Sequence, residues 1–168
     1  PGYRKFQIGN HTASIFTDAY MKNIRDFDVE LAYQAMKKDA LVMPPKYAPG
    51  RDGLKEYNDN GYVPYPEYNY ATTKTLEYSF DDFNIWKLAT ELNRVDDIDL
   101  YLAKSQYYRN VFDEEKKFMN GKNLSGKWLE SFDPIEWGGP FSLGNAWHYT
   151  FSVPHDVNGL ISLMGGKK

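Results

Sequence analysis

Apolar side chains recur every three or four positions along the first part of the chain, which is the spacing of an amphipathic helix. Residues 12–24 show this period in Ile15, Phe16, Ala19, Tyr20 and Ile24. A second helix is predicted over residues 29–41, with Asp28 as its N-cap and Pro44-Pro45 as its stop. The chain is therefore expected to open with two helices.

The middle of the chain predicts a pair of antiparallel helices. Residues 72–93 carry an apolar face wider than one stripe, so this helix is expected to be largely buried. Its partner is predicted over residues 97–112, capped by Asp96 or Asp97. The connection between them is short, which requires the two helices to run antiparallel.

Two other stretches show no sustained period. Residues 44–70, rich in Pro, Gly, Asn and Tyr, predict a long ordered surface loop, either a wall of a binding cleft or a spacer packed by its own tyrosines. Residues 118–143 predict irregular backbone or short strands, and two helical pieces that meet at Pro154 follow. Successive helical hairpins predict an all-α fold, either part of a toroid or a solenoid. The lack of a fixed-period repeat weighs against a regular solenoid.

Composition narrows the classes of function. A chain of 168 residues with a net charge of -3 is long enough for one domain, and its charge gives no preference for nucleic acid or anionic membranes. No apolar run is long enough to span a membrane. The chain has no cysteine, which excludes disulfides and thiolate metal sites and leaves the compartment open. Aromatic residues make up 17% of the chain, a mixture that suits carbohydrate sites because ring faces stack on sugar C–H faces.

Known catalytic motifs are sparse. The three histidines are too dispersed for a zinc site, and the common nucleotide-binding and serine-hydrolase motifs are missing from the sequence. Glu77, Asp81 and Asp82 place like charges on one predicted helix. A cation, a helix N-terminus or a bound polar ligand would compensate these charges, and the alternative is a solvated acidic face.

Carboxylate and aromatic side chains concentrate between residues 132 and 156. The members of this segment are Asp133, Glu136, Trp137, Gly138, Gly139, Asn145, Trp147, His148, His155 and Asp156. Glycosidases use two carboxyl groups beside the scissile bond, and rings and amides bind the sugar. The segment fits a sugar-active site, although tryptophan and glycine also mark ordinary helix-to-loop junctions.

Four motifs occur in a recognisable order and spacing. They are IRDFDVELAYQAMKK, TKTLEYSFDDF, SQYYRNVFD and FDPIEWGGPFSLGNAWHYTFSVPHDVNGLISLMGG. Together they resemble the calcium-dependent exo-α-mannosidases of glycoside hydrolase family 92 over nearly the whole chain. The resemblance implies that residues 1–168 are a single all-α segment of a larger catalytic (α/α)6 toroid, with a β-sandwich domain before the toroid and further helices after this segment.

The resemblance also implies an inverting hydrolysis of terminal α-linked mannose, in which bound calcium helps to distort the sugar ring. In the family pattern the general acid is a glutamate immediately before Gly-Asn-Ala-Trp, and Leu143 stands at that position here. Leucine cannot donate a proton, and Glu136, seven residues earlier, is the candidate substitute acid. The family's base and most calcium ligands belong to motifs beyond Lys168, so no metal site is expected within this chain.

The residues expected to line the mannose-binding cleft are Trp137, Asn145, Trp147, His155 and Asp156. The expected partners are α-mannoside glycans and the remaining parts of the parent polypeptide, and truncated apolar surface favours self-association. The isolated chain is expected to be inactive. Two alternatives stay open: a non-catalytic mannoside-binding relative, which Leu143 favours, and a helical protein-interaction scaffold, which the hairpin over residues 72–112 favours. By resemblance the protein is a candidate for export or for the periplasm.

Overall fold

Most of the chain is helical. The computed structural model describes residue 8, residues 10–45 and residues 50–166. The helices are α1 (Thr12–Met21), α2 (Val29–Leu41), α3 (Leu54–Asn60), α4 (Ala71–Glu91), α5 (Val95–Ser105), α6 (Ala146–Thr150) and α7 (Val157–Leu163). A 3-10 helix (Tyr107–Val111) leads into strands β1 (Phe112–Asp113) and β2 (Phe118–Met119), which pair antiparallel with Phe112 opposite Met119. The expected all-α class is confirmed.

The first two helices follow the apolar pattern closely. Helix α2 has the predicted bounds, and the Asp28 side chain accepts a hydrogen bond of 2.9 Å from the backbone N–H of Leu31, which confirms the predicted cap. Helix α1 ends at Met21, three residues earlier than the pattern suggested. Asn23 takes a left-handed φ of 61°, and the N–H of Ile24 bonds back to the carbonyl of Ala19, a geometry that ends helices.

Helices α4 and α5 form the predicted hairpin, but the predicted cap of α5 is wrong. Helix α5 begins at Val95 with Arg94 at the N-cap position, so Asp96 and Asp97 lie in its first turn. Acidic groups in a first turn still favour the helix because they face the positive end of its dipole. The Asp97 carboxylate also accepts a hydrogen bond of 2.6 Å from the Tyr33 hydroxyl, which ties α5 to α2.

The expected loop over residues 44–70 contains a helix that the pattern missed. Helix α3 has seven residues and is bounded by Gly53 and Gly61, both with the positive φ that glycine adopts readily. Its residues Leu54 and Tyr57 are fully buried. Residues 46–49 lie outside the described part of the chain. The segment is a packed element, and two turns are too short to show a period.

Helix α4 is the centre of the packing. One face packs on α1, α2 and α5 through a cluster that includes Met36, Ile85 and Leu88. A second cluster joins α4 to the C-terminal part of the chain through residues such as Leu76 and Phe141. This second cluster fixes the segment in which the candidate site residues lie. In the described ranges, none of the helices combines the length and the apolar character needed to cross a membrane.

Candidate functional site

The aromatic segment before α6 is anchored on the first turn of α4. The backbone N–H groups of Thr72 and Thr73 donate to the carbonyl of Pro140 at 3.1 and 3.3 Å. The Thr73 hydroxyl accepts a hydrogen bond of 3.1 Å from the N–H of Ser142. The N–H groups of Thr72 and Thr73 lie in the first turn of α4 and have no partner inside the helix, so the loop over residues 131–145 supplies their acceptor. The loop is thereby held in one position on a buried helix.

Leu143 is exposed to solvent near the point where this loop closes on itself. The N–H of Gly138 donates to the carbonyl of Gly144 at 2.9 Å, which closes the loop on itself. Leu143 has a φ of 49°, a left-handed conformation that leucine rarely adopts, and it is 81% exposed. Because its side chain is exposed, Leu143 contributes little to stability through burial. Its left-handed backbone is strained. Such strain is common where a site, and not stability, fixes the direction of a side chain.

Asn145 and His148 form a reciprocal cap at the start of α6. The Asn145 side chain accepts from the N–H of His148, and the N–H of Asn145 donates to Nδ1 of His148 at 3.2 Å. The amide Nδ2 of Asn145 donates to the carbonyl of Ile135 at 3.3 Å. Both ends of this amide are thus used within the fold, and a sugar contact by Asn145 stays a prediction.

The two predicted tryptophans are both exposed, but they have different neighbours. Trp137 is 63% exposed and meets His148 edge-on, with ring centroids 5.6 Å apart. Trp147 is 52% exposed and meets Phe118 edge-on at 4.9 Å. Trp137 and Leu143 flank the hydrogen-bonded pair Gly138 and Gly144, so their backbones lie close together. We call Trp137, Leu143, Asn145 and His148 the loop cluster.

His148 is the member of this cluster to which sequence reasoning assigned no role. In the sequence it lies within the aromatic and acidic segment over residues 132–156, without a signal that marks it as a cleft residue. The available signal was its position three residues after Asn145, which makes it the reciprocal partner in a capping box. That position also orients the imidazole beside Trp137.

Glu136, the suggested substitute acid, lines a hollow beside Gly138 and Gly139 of the loop. This hollow of about 100 Å³ is also lined by Tyr65, Asp133 and Pro140. Leu143, Asn145 and His148 are not among the residues that line this hollow. Glu136 directly precedes Trp137 of the loop cluster, and its role as a substitute acid stays a prediction.

His155 lies in the fold as a packed aromatic residue. Its ring contacts Phe80, Phe83 and Tyr108, and its Nε2 lies 2.9 Å from the carbonyl of Ser105. Burial lowers the pKa of His155 below its ordinary 6.5, so the ring is neutral near pH 7. These contacts are with α4, α5 and the 3-10 helix, so the structure does not bring His155 into the loop cluster.

Asp156 has structural partners as well. Its carboxylate caps α7 by accepting from the N–H of Gly159 at 2.9 Å. It also accepts from the Tyr108 hydroxyl at 2.7 Å and from Arg109 at 3.0 Å. Burial acts to raise the pKa of Asp156, but these donors outweigh it and hold the pKa below the usual value. A sugar contact by His155 or Asp156 stays a prediction that the observed geometry does not support.

Glu77, Asp81 and Asp82 of α4 have basic side chains beside them. Asp82 forms a 2.8 Å ion pair with Arg51, and both side chains are buried. His11 Nε2 lies 3.3 Å from Glu77, and its Nδ1 lies 3.7 Å from Asp81. The alternative of a solvated acidic face is wrong for Asp81 and Asp82, whose side chains are 1% and 0% exposed.

Calcium binding depends on the oxygen donors that the fold brings together. Calcium takes six to eight oxygen ligands. Within residue 8 and the ranges 10–45 and 50–166, no group of three or more His, Cys, Asp or Glu side chains has an arrangement that could hold a metal ion. A calcium site with ligands from the rest of the polypeptide stays a prediction.

The family of this chain follows from comparison with known proteins. The model of the glycosyl hydrolase family 92 catalytic domain matches residues 1–168. The chain belongs to glycosyl hydrolase family 92. The match includes the four motifs and the loop before Gly-Asn-Ala-Trp.

Individual members of family 92 are similar to this chain over almost its whole length. The inverting mannosidase BT2199 from Bacteroides thetaiotaomicron is 46% identical, with a TM-score of 0.94 over 99% of this chain and 23% of its own. The α-mannosidase BT3965 from the same species is 38% identical, with a TM-score of 0.86 over 95% of this chain and 20% of its own. An uncharacterized secreted glycosidase of Arthroderma benhamiae is 30% identical over 96% of this chain and 25% of its length. The chain spans about a quarter or less of these relatives.

Proposed function

We propose that this chain is one segment of a larger (α/α)6 catalytic domain that hydrolyses terminal α-linked mannose with inversion. The observation that supports this most is the similarity to the inverting mannosidase BT2199 over 99% of the chain. A further solved structure of BT3965 is in complex with mannoimidazole. The proposed substrates are α-mannoside glycans, and the base and the calcium ligands are expected in the rest of the polypeptide.

We place the sugar beside the loop cluster. Trp137 offers an exposed ring face, and such faces stack on the C–H face of a sugar. The loop that carries it is fixed to α4 and closed on itself, so the ring is held in place before the ligand binds. A fixed platform reduces the entropy lost on binding. Trp147 is proposed as a second platform on the Phe118 side.

The isolated chain is proposed to be inactive. Inverting glycosidases need an acid and a base about 6.5–9.5 Å apart, and the acid position here is Leu143. The purified chain is expected to release no 4-nitrophenol from 4-nitrophenyl α-mannoside, with or without added calcium. Calcium-dependent release above a blank would contradict this proposal.

The placement of the sugar site can be tested by ligand binding in the full-length protein. Calorimetric titration with mannobiose is expected to detect binding, and Trp137→Ala should weaken it by roughly 1 kcal/mol, about fivefold. Trp128→Ala is the matched control, since this ring packs on Lys122, outside the loop cluster. Equal losses in both variants would contradict the placement of the sugar at Trp137.

A non-catalytic mannoside-binding protein is the second candidate, and Leu143 favours it. Mannobiose binding without turnover in the full-length protein would select this candidate. Binding with turnover would select the hydrolase. A helical interaction scaffold predicts neither binding nor turnover.

A further inference from the structure

The imidazole of His148 is held by one of its two nitrogens. Nδ1 accepts from the N–H of Asn145 at 3.2 Å and lies 2.7 Å from Oδ1 of the same residue. In the described part of the chain, Nε2 has no hydrogen-bond or ion-pair partner, and the residue is exposed. The ring is thus oriented through Nδ1 and leaves Nε2 for a ligand.

Asn145 can serve both protonation states of this ring. In the neutral ring with the proton on Nε2, Nδ1 accepts from the N–H of Asn145. In the charged ring both nitrogens carry protons, and Nδ1–H donates to Oδ1 of Asn145 at 2.7 Å. When the charged ring loses its proton from Nε2, the proton on Nδ1 remains and continues to donate to Oδ1 of Asn145, so the ring keeps a partner at Nδ1 during the transfer.

The ring also lies next to the position of the family acid. Gly144, which directly follows Leu143, packs closely on His148: a Cβ placed on Gly144 would come within 3.5 Å of its Cβ and Cγ. The ring of Trp137 meets the imidazole edge-on, with ring centroids 5.6 Å apart. A sugar stacked on Trp137 would therefore lie within reach of this ring.

Other titratable groups near the loop are less suited to proton transfer. Glu136 lines the hollow described above, and Leu143, Asn145 and His148 do not line that hollow. Glu77 is occupied by His11 at 3.3 Å. His155 is bound to the carbonyl of Ser105 and is neutral.

We propose that His148 is the catalytic acid of this protein, in place of the glutamate that the family pattern has where Leu143 stands here. This inference rests on the function proposed above. Nε2–H of the imidazolium gives its proton to the glycosidic oxygen while the bond from that oxygen to C1 of mannose breaks. Water adds to C1 from the opposite face and gives its proton to a carboxylate base supplied by the rest of the polypeptide. The leaving alcohol departs neutral, and His148 regains a proton from solvent.

The test uses two substrates that differ in their need for an acid. Methyl α-mannoside has a strongly basic leaving group that needs a proton, and 2,4-dinitrophenyl α-mannoside has a weakly basic one that does not. In the full-length protein, His148→Gln should lower kcat/KM for the methyl glycoside by about 10²–10⁴-fold and change that for the dinitrophenyl glycoside by less than about threefold. Glutamine can still accept from the N–H of Asn145, so the cap of α6 is kept.

A second variant shows whether the lost activity reflects the missing acid or a misfolded protein. Leu143→Glu added to His148→Gln should restore hydrolysis of the methyl glycoside, because the carboxylic acid returns to the family position. His11→Gln is the matched control, since it removes an imidazole outside the loop cluster and should leave both rates unchanged.

The outcomes separate this inference from the proposed function. A loss that is equal for both substrates, or no loss for the methyl glycoside, would overturn the role of His148 and leave the function standing. The same holds if the wild-type protein cleaves only the dinitrophenyl glycoside. Cleavage of neither substrate by the wild type would overturn both the function and the role of His148.

Discussion

The guanidinium of Arg51 and the carboxylate of Asp82 lie 2.8 Å apart with side chains only 2% and 0% exposed. Arg51 lies just before α3, and Asp82 lies in the middle of α4. The Tyr57 hydroxyl of α3 also donates to Asp82 at 2.9 Å. One buried carboxylate thus joins α3 and its flanking turn to the central helix.

Breaking this ion pair should destabilise the fold strongly, because a charge would remain buried without its partner. Arg51→Ala is expected to lower the free energy of unfolding by about 3–5 kcal/mol, measured by urea denaturation. Lys55→Ala is the matched control, because its 2.6 Å pair with Asp59 is exposed on α3. This control should leave the unfolding midpoint unchanged. Similar midpoints for the two variants would contradict the importance of the buried pair.

Sequence reasoning worked where one helix carries its own signal. Helix α2 was predicted with its bounds because its apolar period and the cap at Asp28 are local. Helix α3 was missed because its seven residues depend on contacts with α4. The partner of Asp82 could not be predicted, since Arg51 is 31 positions away in the chain.

The candidate site was predictable as a segment but not as a set of contacts. Trp137 and Trp147 are exposed, which the sugar-site interpretation requires. Asp156 instead has Tyr108 and Arg109 as partners, which follow from the packing of α7 on the 3-10 helix. The sequence order alone does not show which polar side chains the fold itself uses.

Asn145→Ala should remove the side-chain cap of α6. The expected loss is about 1 kcal/mol in the free energy of unfolding, since an N-terminal donor loses its acceptor. Asn145→Asp is the control, because its carboxylate can still accept from the N–H of His148. Thermal and urea unfolding of the three proteins would check this, and equal stability of wild type and Asn145→Ala would show that the cap contributes nothing.

His11 should make stability fall as pH rises above neutrality. Interaction with the Asp81 carboxylate raises the pKa of His11 above its ordinary 6.5, with burial opposing and Glu77 adding to the effect. Because the folded-state pKa is the higher one, this stabilisation is fully present below about pH 6.5 and is lost as the pH rises through the folded-state value.

The measurement is the urea midpoint of wild type and His11→Gln across this range. The difference between the two proteins should be largest at the acidic end and should shrink as the pH rises. The subtraction removes the opposite contribution of His155, whose pKa is lowered. A difference that is constant with pH, or that grows toward alkaline pH, would rule out this linkage.

Leu143→Gly should cost the fold nothing, although it removes a whole leucine side chain. The side chain is 81% exposed, so little buried apolar area is lost. Glycine accepts the left-handed φ of 49° without the penalty of about 1–2 kcal/mol that a Cβ incurs, and its greater freedom in the unfolded chain offsets part of that gain. The expected result is a free energy of unfolding between unchanged and about 1 kcal/mol higher. The matched control, Leu76→Gly in the buried face of α4, should lose at least about 3 kcal/mol. A loss of similar size at Leu143 would mean that this side chain is packed, whereas no loss would show that stability does not require leucine at the position of the family acid.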